Sequence, residues 1–229
     1  MVVALPILYS LQNCPYAMRA RLVILLAQQP VLLRPITMKN KPAEMLAVSP
    51  KGTVPVLILR LPADIDNKIK EKQQVIDESL DIMLWALQRN DPENLLYSER
   101  ADALPEMLKI IEENDKQFKP SLEKYKHAKR FHEKTEESFR LACEPFIQRL
   151  EQRLTQHEFL MGAAPSLLDY ALLPFVRQFS KANRHLFLQG PYSHLQHWLN
   201  HHVQSHLYAR AMFKYPLWLD SHEEFVFGE

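Results

Sequence analysis

The hydrophobic pattern of this 229-residue chain changes character once, near residue 90, and that change limits the folds open to it. Before it, short apolar runs alternate with stretches of helical period. Ile7 to Tyr9 reads as a strand, followed by the polar turn Gln12-Asn13-Cys14-Pro15. From Pro15 onward Met18, Leu22, Leu25 and Leu26 recur at helical spacing, with Arg19 and Arg21 off that stripe. Proline is favoured at a first helical position, and Pro30 closes the segment. Val31 to Met38 reads as a second strand, which Pro35 confines to an edge or a strand end. Pro42 to Val48 is a short helix leading into the turn Ser49-Pro50-Lys51-Gly52. Val54 to Leu59 and Gln74 to Ile76 are strands, and Ser79 caps a helix with Ile82, Met83, Leu84 and Leu87 on its apolar side. The order is β-α-β-(α)-β-β-α. Between the last two strands Leu61 to Lys72 is polar, charged and longer than a tight hairpin loop, so it reads as a solvent-exposed insertion.

After Arg89-Asn90-Asp91-Pro92 no strand pattern follows, which places an α/β domain at 1–89, a linker at 90–104 and an all-helical domain at 105–229. Pro105 to Phe118 and Ser121 to Leu154 are long helical patterns. The second is strongly charged and is expected to kink or break near Pro145. Ser166-Leu167-Leu168-Asp169 is a capping box, with Asp in place of the usual Glu, opening an apolar helix that runs to Ser180. Tyr192 to Tyr208 is a further helix.

Composition removes several function classes. With 28 basic and 27 acidic side chains the net charge is +1, which argues against a nucleic-acid partner bound through a broad basic face. The longest apolar runs, such as Leu22 to Ala27, fall far short of the ~20 residues a membrane span needs. Met1 to Leu8 lacks a basic region and a cleavage site, and reads as strand and not as a signal peptide. Two cysteines make no disulfide framework, which points to a reducing, cytoplasmic location. The four glycines begin neither G-x-G-x-x-G nor a P-loop, so glycine-rich nucleotide binding is excluded.

Cys14-Pro15-Tyr16-Ala17 sets a thiol at the start of a helix, just after a strand. Free amide donors and the helix dipole favour a thiolate there, and a thiolate is the nucleophile of disulfide exchange. Ala17 stands where a C-x-x-C motif has its second cysteine, so a mixed disulfide must be resolved by an outside thiol. The other reading is a small inert residue beside a helix cap. Val54-Pro55, at the start of a strand, is a candidate cis bond. In a thioredoxin-like domain that proline faces the helix starting at Cys14, and the Val54 backbone is free to pair with a peptide-like substrate. Asp77-Glu78-Ser79 offers an ammonium site beside an anion site at a helix N-terminus, suited to the two charges of a γ-glutamyl group.

Together Cys14-Pro15-Tyr16-Ala17, Lys39-Asn40-Lys41-Pro42, Val54-Pro55, Asp77-Glu78-Ser79 and, later, Ser166 to Asp169 with Pro174-Phe175-Val176-Arg177 resemble the glutathione transferase superfamily. The likeness is greatest to its cysteine-type, omega-like members and their bacterial relatives. The resemblance implies a thioredoxin-like N-terminal domain followed by an all-α domain, a homodimer, and glutathione as co-substrate. It implies a mixed disulfide with glutathione at Cys14, with Lys41 on the glycyl carboxylate, the Val54 backbone on the cysteinyl unit, and Glu78 with Ser79 on the γ-glutamyl end. Thiol transfer, deglutathionylation or dehydroascorbate-type reduction follows, with an acceptor pocket between the domains near Tyr16, Arg177 and residues around Met107 and Ile111.

Two rivals stand beside this. Tyr9 and Ser10 lie where hydroxyl-type, conjugating transferases keep their activating residue, and a glutathione-transferase-like binding protein without turnover is also possible on this fold. Five histidines, His194, His197, His201, His202 and His206, share one helical segment at spacings that suit pairs of metal ligands. No cysteine or carboxylate stands among them to complete a site, so no metal and a solvated polar face are expected. Cys143, on the charged helix, reads as a core residue.

Overall fold

A computed structural model of the chain describes residues 4–61 and 72–229. The insertion read between 61 and 72 therefore lies almost entirely outside the described residues. In chain order the elements are β1 (Ile7–Ser10), α1 (Pro15–Leu26), β2 (Val31–Pro35), α2 (Ala43–Val48), β3 (Val56–Leu61), β4 (Lys72–Ile76) and α3 (Ser79–Arg89). There follow α4 (Ala103–Glu113), a π-helical segment Asn114–Phe118, α5 (Lys119–Phe131), α6 (Glu136–Leu154), α7 (Leu167–Ala182), α8 (Arg184–Gln189), α9 (Ser193–Val203), α10 (His206–Ala211), α11 (Trp218–Ser221) and β5 (Phe225–Phe227).

The chain forms two compact units, residues 1–93 with 207–229, and residues 94–206. The first holds a five-stranded sheet of order β4-β3-β1-β2-β5. β1 and β2 run parallel, with Ile7 opposite Leu32, as a β-α-β crossover through α1 requires. β3 pairs antiparallel with β1 and with β4, giving the thioredoxin-like α/β arrangement. Period-2 alternation sends Ile7, Tyr9, Val56 and Ile58 to one face, where they pack with Ile36, Met45 and Val54 and against the half-buried Cys14 and Trp218.

Three local expectations are revised here. β5, which no alternation announced, pairs antiparallel with β2 and groups the C-terminal segment with the first unit, where the sequence reading carries an all-helical domain to 229. It leaves β2 internal, and Pro35 sits at that strand's end, where its missing N–H is harmless. In the second unit the chain breaks between α5 and α6, not at Pro145. His132 takes a left-handed φ of 55°, closing α5, while Pro145 stays inside α6. α1 is buried on nearly every side, Arg19 and Arg21 included, so the stripe read from its sequence is only part of its buried surface.

The second unit is otherwise helical, as the pattern after residue 104 predicts. The ten residues from Leu167 to Val176 on α7 are all buried, which makes it the central helix of that unit. Its capping box forms as read. Asp169, fully buried, accepts from Ser166 N at 2.8 Å, Ser166 Oγ at 2.6 Å, Leu160 N at 3.0 Å and Trp198 Nε1 at 2.8 Å. Among the described residues no helix is long and apolar enough to cross a membrane.

Candidate functional site

Cys14 is the residue before α1, and Pro15 opens the helix, so the first turn presents its free amides beside the thiol. The Cys14 side chain is half-buried, and Sγ donates to the Val54 carbonyl at 3.7 Å. Val54-Pro55 is cis, and the two residues stand just ahead of β3. Two segments forty residues apart in sequence are thus brought together at the thiol. Among the described residues no side-chain carboxylate is a hydrogen-bond partner of Cys14.

The turn after α2 and the start of α3 meet through charge. Lys51 Nζ lies 3.2 Å from Asp77 and 2.6 Å from Glu78, and Ser49 Oγ donates to Asp77 at 2.9 Å. Burial alone would raise the Asp77 carboxyl; the bonds from Ser49 and Lys51 outweigh it and hold Asp77 below the usual carboxylate range. Glu78 is the cap residue of α3, its side chain 69% exposed, and Ser79 is the first residue of that helix and not its cap. Ser79 is buried, and its Oγ accepts from Arg19 Nε at 2.9 Å. That bond engages a lone pair and leaves the O–H to donate.

Lys41 is half-buried and reaches over Gly52. A Cβ on Gly52 would stand 3.1 Å from Lys41 Nζ, and Gly52 has φ +59°, so a side chain is opposed there both by space and by backbone. Lys39 is exposed. Tyr16 is half-buried on α1 with the Arg19 guanidinium 5.1 Å from its ring centre. Arg177 lies on α7 of the second unit, half-buried, and Met107 and Ile111 on α4 are wholly buried.

The two hydroxyls at the end of β1 are both held by arginines. Tyr9 is fully buried and its hydroxyl accepts from Arg34 Nη1 at 2.7 Å; burial pushes its ionisation up despite that cation. Ser10 is buried and its hydroxyl accepts from Arg21 Nη1. Sequence spacing placed Arg21 outside the helix stripe and gave no part to Lys51. The signal for Lys51 was present as a cation in the turn facing a pair of carboxylates; the signal for Arg21 was not.

Of the histidine-rich segment, His194 pairs with Glu151 at 2.9 Å and His202 is buried, so the face is not uniformly solvated. Among the described residues no cluster of three or more potential metal ligands occurs.

This arrangement of strand, turn, thiol-bearing helix start and cis proline defines a thioredoxin-like domain joined to a helical one. The family model described as Glutathione S-transferase, N-terminal domain, matches residues 8–94, and that for Glutathione S-transferase, C-terminal domain, matches 135–201. Between them they cover more than half of the chain, which belongs to the glutathione S-transferase family. No curated protein matches in sequence. Among solved structures, a glutathione transferase family member from Pseudomonas fluorescens with two glutathione bound aligns at TM-score 0.76 and 17% identity, over 93% of this chain and 94% of that one. A glutathione transferase from Burkholderia graminis, with two glutathione molecules bound per subunit, gives 0.73 and 18% over 90% and 87%. Glutathione transferase Omega 2C from Trametes versicolor gives 0.71 and 18% over 91% and 93%. At these identities the likeness is one of fold.

Proposed function

We propose that this protein is a glutathione-dependent thiol transferase or reductase working through a mixed disulfide at Cys14. The observation that carries the reading is the contrast at the end of β1. Tyr9 and Ser10, the hydroxyls a conjugating enzyme would need, are buried and engaged by Arg34 and Arg21, whereas the Cys14 thiol stays half-exposed at a helix start. In this reading the Val54 backbone pairs with the cysteinyl unit of glutathione. The 3.7 Å contact between Cys14 Sγ and that same residue's carbonyl favours apposition of the two sulfurs. Lys41 holds the glycyl carboxylate, and Glu78 with the Ser79 hydroxyl holds the γ-glutamyl ammonium and carboxylate. Tyr16 and Arg177 are assigned to the acceptor side.

The chemistry is two exchanges. The Cys14 thiolate attacks the glutathionyl sulfur of a mixed disulfide, forming Cys14–S–S–glutathione and releasing the other thiol as its thiolate. A second glutathione thiolate then attacks that bond, leaving oxidised glutathione and restoring the Cys14 thiolate. With Ala17 in the second motif place, both resolving electrons come from outside glutathione. A reducing, cytoplasmic setting and a homodimer complete the reading, the first from two free cysteines and the second from the family.

Oxidised glutathione should add one glutathionyl unit to Cys14, seen by intact mass under non-reducing conditions. Cys14→Ser should remove both the adduct and disulfide-exchange turnover, by roughly a thousandfold or more. An intramolecular disulfide with Cys143, or turnover surviving in Cys14→Ser, sinks the scheme.

A further inference from the structure

α2 is six residues long and buries one side chain, that of Met45. A helix shorter than about 12 residues is marginal on its own hydrogen bonds, so α2 is held by what docks on it. Lys41 depends on that docking. The amides of Met45 and Leu46 donate to the Pro42 carbonyl at 3.1 and 3.2 Å, which binds the residue after Lys41 to the first turn of α2. Toward the far end of the helix, a Cβ on Gly52 would stand 3.1 Å from Lys41 Nζ and 3.1 Å from Leu46 Cδ2, so the lysine side chain lies along α2 beside Leu46. Where α2 sits, Lys41 sits.

The C-terminal segment supplies a polar tie to this helix. Trp218, which opens α11, donates from Nε1 to the carboxylate of Glu44, in the first turn of α2, at 2.6 Å. The centre of the Trp218 ring lies 4.1 Å from the Arg34 guanidinium, and Arg34 Nη1 stands 3.9 Å from the same Glu44 oxygen. Arg34, on β2, also donates from Nη1 to the Tyr9 hydroxyl at 2.7 Å and from Nε to Glu224 at 2.9 Å. Immediately after Glu224, β5 pairs with β2. Trp218 is thus anchored to the sheet on one side and bonded to α2 on the other. Burial would raise the Glu44 carboxyl; the bond from Trp218 and the charge of Arg34 help outweigh it and hold Glu44 below the usual carboxylate range.

We infer that Trp218 is a positioning residue of the glutathione site, clasping α2 from the C-terminal segment so that Lys41 is held in place for its ligand. The inference rests on reading Lys41 as the partner of the glycyl carboxylate. Trp218 acts through Glu44 and α2 and not on the sulfur, so its effect falls on glutathione binding and not on exchange.

The test uses the full chain with Trp218→Ala, Trp218→Phe, Lys41→Ala and the Trp218→Ala/Lys41→Ala pair, folding checked by circular dichroism. Calorimetry gives the affinity for glutathione, and steady-state kinetics gives kcat for disulfide exchange. Trp218→Ala loses both the ring over Arg34 and the bond to Glu44, and should weaken glutathione binding roughly fivefold with kcat nearly unchanged. Trp218→Phe keeps a ring and loses only the bond to a half-exposed carboxylate, so the loss should be roughly twofold. In the Lys41→Ala background Trp218→Ala should add almost nothing, because the group it positions is gone. Parent-like affinity in Trp218→Ala overturns the inference. So does a fall in kcat at unchanged affinity, or a full further fivefold loss on top of Lys41→Ala, which a merely loosened structure would give. If Trp218→Ala does not fold, Trp218→Phe decides by the same readings; unfolding of both assigns Trp218 to the fold alone and overturns the inference too. Lys41→Ala is read separately. If it binds glutathione as tightly as the parent, the placing of the site fails and the inference with it; if it binds weakly while the Trp218 variants bind like the parent, only the inference fails.

Discussion

In the first unit Ser10, Arg19, Arg21 and Ser79 are buried around the turn before α1 and the first turn of α3; Arg19 donates to the Ser79 hydroxyl, and Arg21 to the Ser10 hydroxyl and to backbone carbonyls. In the second unit Asp169, His202 and Cys143 are buried among helices. Asp169 is a buried carboxyl group answered by four donors. Cys143 is wholly buried, and that burial pushes its thiol up to about 12, whereas Cys14 keeps part of its surface in solvent. His202 sits among the rings of Trp198 at 5.0 Å, Tyr170 at 5.3 Å and Phe159 at 5.8 Å, its Nε2 without a hydrogen-bond partner among the described residues. Burying a polar group therefore says little about function by itself. What distinguishes the first unit is that buried Arg21 bonds the strand end and turn that lead into a half-exposed thiol; in the second unit Asp169 accepts from four donors and His202 is held neutral.

The sharpest break in the comparison would come at Asp169. If the second unit's polar groups serve the fold, Asp169→Ala should strand the amides of Leu160 and Ser166 and the indole of Trp198 in the interior. At roughly 1–3 kcal/mol for each orphaned group, the loss should be at least about 3 kcal/mol. Urea unfolding of the variant measures it, and a loss below 1 kcal/mol would show that the network is not structural. Disulfide exchange per folded molecule should be unchanged.

His202 gives the next largest effect, and it depends on pH. Burial, with the nearby charge of His201, lowers its ionisation from 6.5 to about 3, so it stays neutral in the fold and takes up a proton on unfolding. Its contribution is thus fully present above pH 6.5 and drains away as the pH falls from there toward 3. The slope is about 1.4 kcal/mol per pH unit, or ~2 kcal/mol lost by pH 5. His202→Phe, at home among those rings, should flatten the slope between pH 7 and 5 in thermal melts. An identical slope in the variant would mean that other groups carry the acid sensitivity.

How far the sequence revealed all this differs between the units for a physical reason. The Cys14-Pro15 helix start, Val54-Pro55 and the Ser166-Asp169 box are local signals, fixed by residues adjacent in the chain, and each appears where it was read. Arg19 and Arg21 lie off the apolar stripe of α1, and a stripe marks only one buried face of a helix. The helix is enclosed instead, and bonds to residues distant in sequence, such as Ser79 for Arg19 and Ala211 for Arg21, are part of why arginine is tolerated there. β5 is three residues long and takes its conformation from pairing with β2, so no alternation of its own marks it. The break at His132 depends on a single left-handed residue, whereas Pro145, the conspicuous breaker, is accommodated within α6.

The smallest expected effect sharpens the comparison from the first unit's side, by separating charges that bind from the thiol that reacts. Lys41 and Glu78 are assigned to opposite ends of glutathione, away from its sulfur. A hydrogen bond to a charged group is worth ~1.5–3 kcal/mol, and the 69% exposure of Glu78 argues for the lower end, or roughly tenfold in affinity. Substrate and transition state both keep those ends bound, so Glu78→Gln and Lys41→Ala should raise KM for glutathione about tenfold and leave kcat nearly intact. Lys51, which faces Glu78 from the turn at 2.6 Å, is a half-exposed partner whose pairing is worth ~1 kcal/mol or less. Lys51→Ala should therefore shift KM less than either, by about threefold at most. Cys14→Ser should do the reverse of all three, binding glutathione while losing turnover. Calorimetry beside steady-state kinetics on the four variants decides it. If Lys41→Ala and Glu78→Gln bind glutathione as tightly as the parent, the site is wrongly placed; if they lose kcat instead, the charged ends reach the chemistry and the division between binding and reacting groups fails.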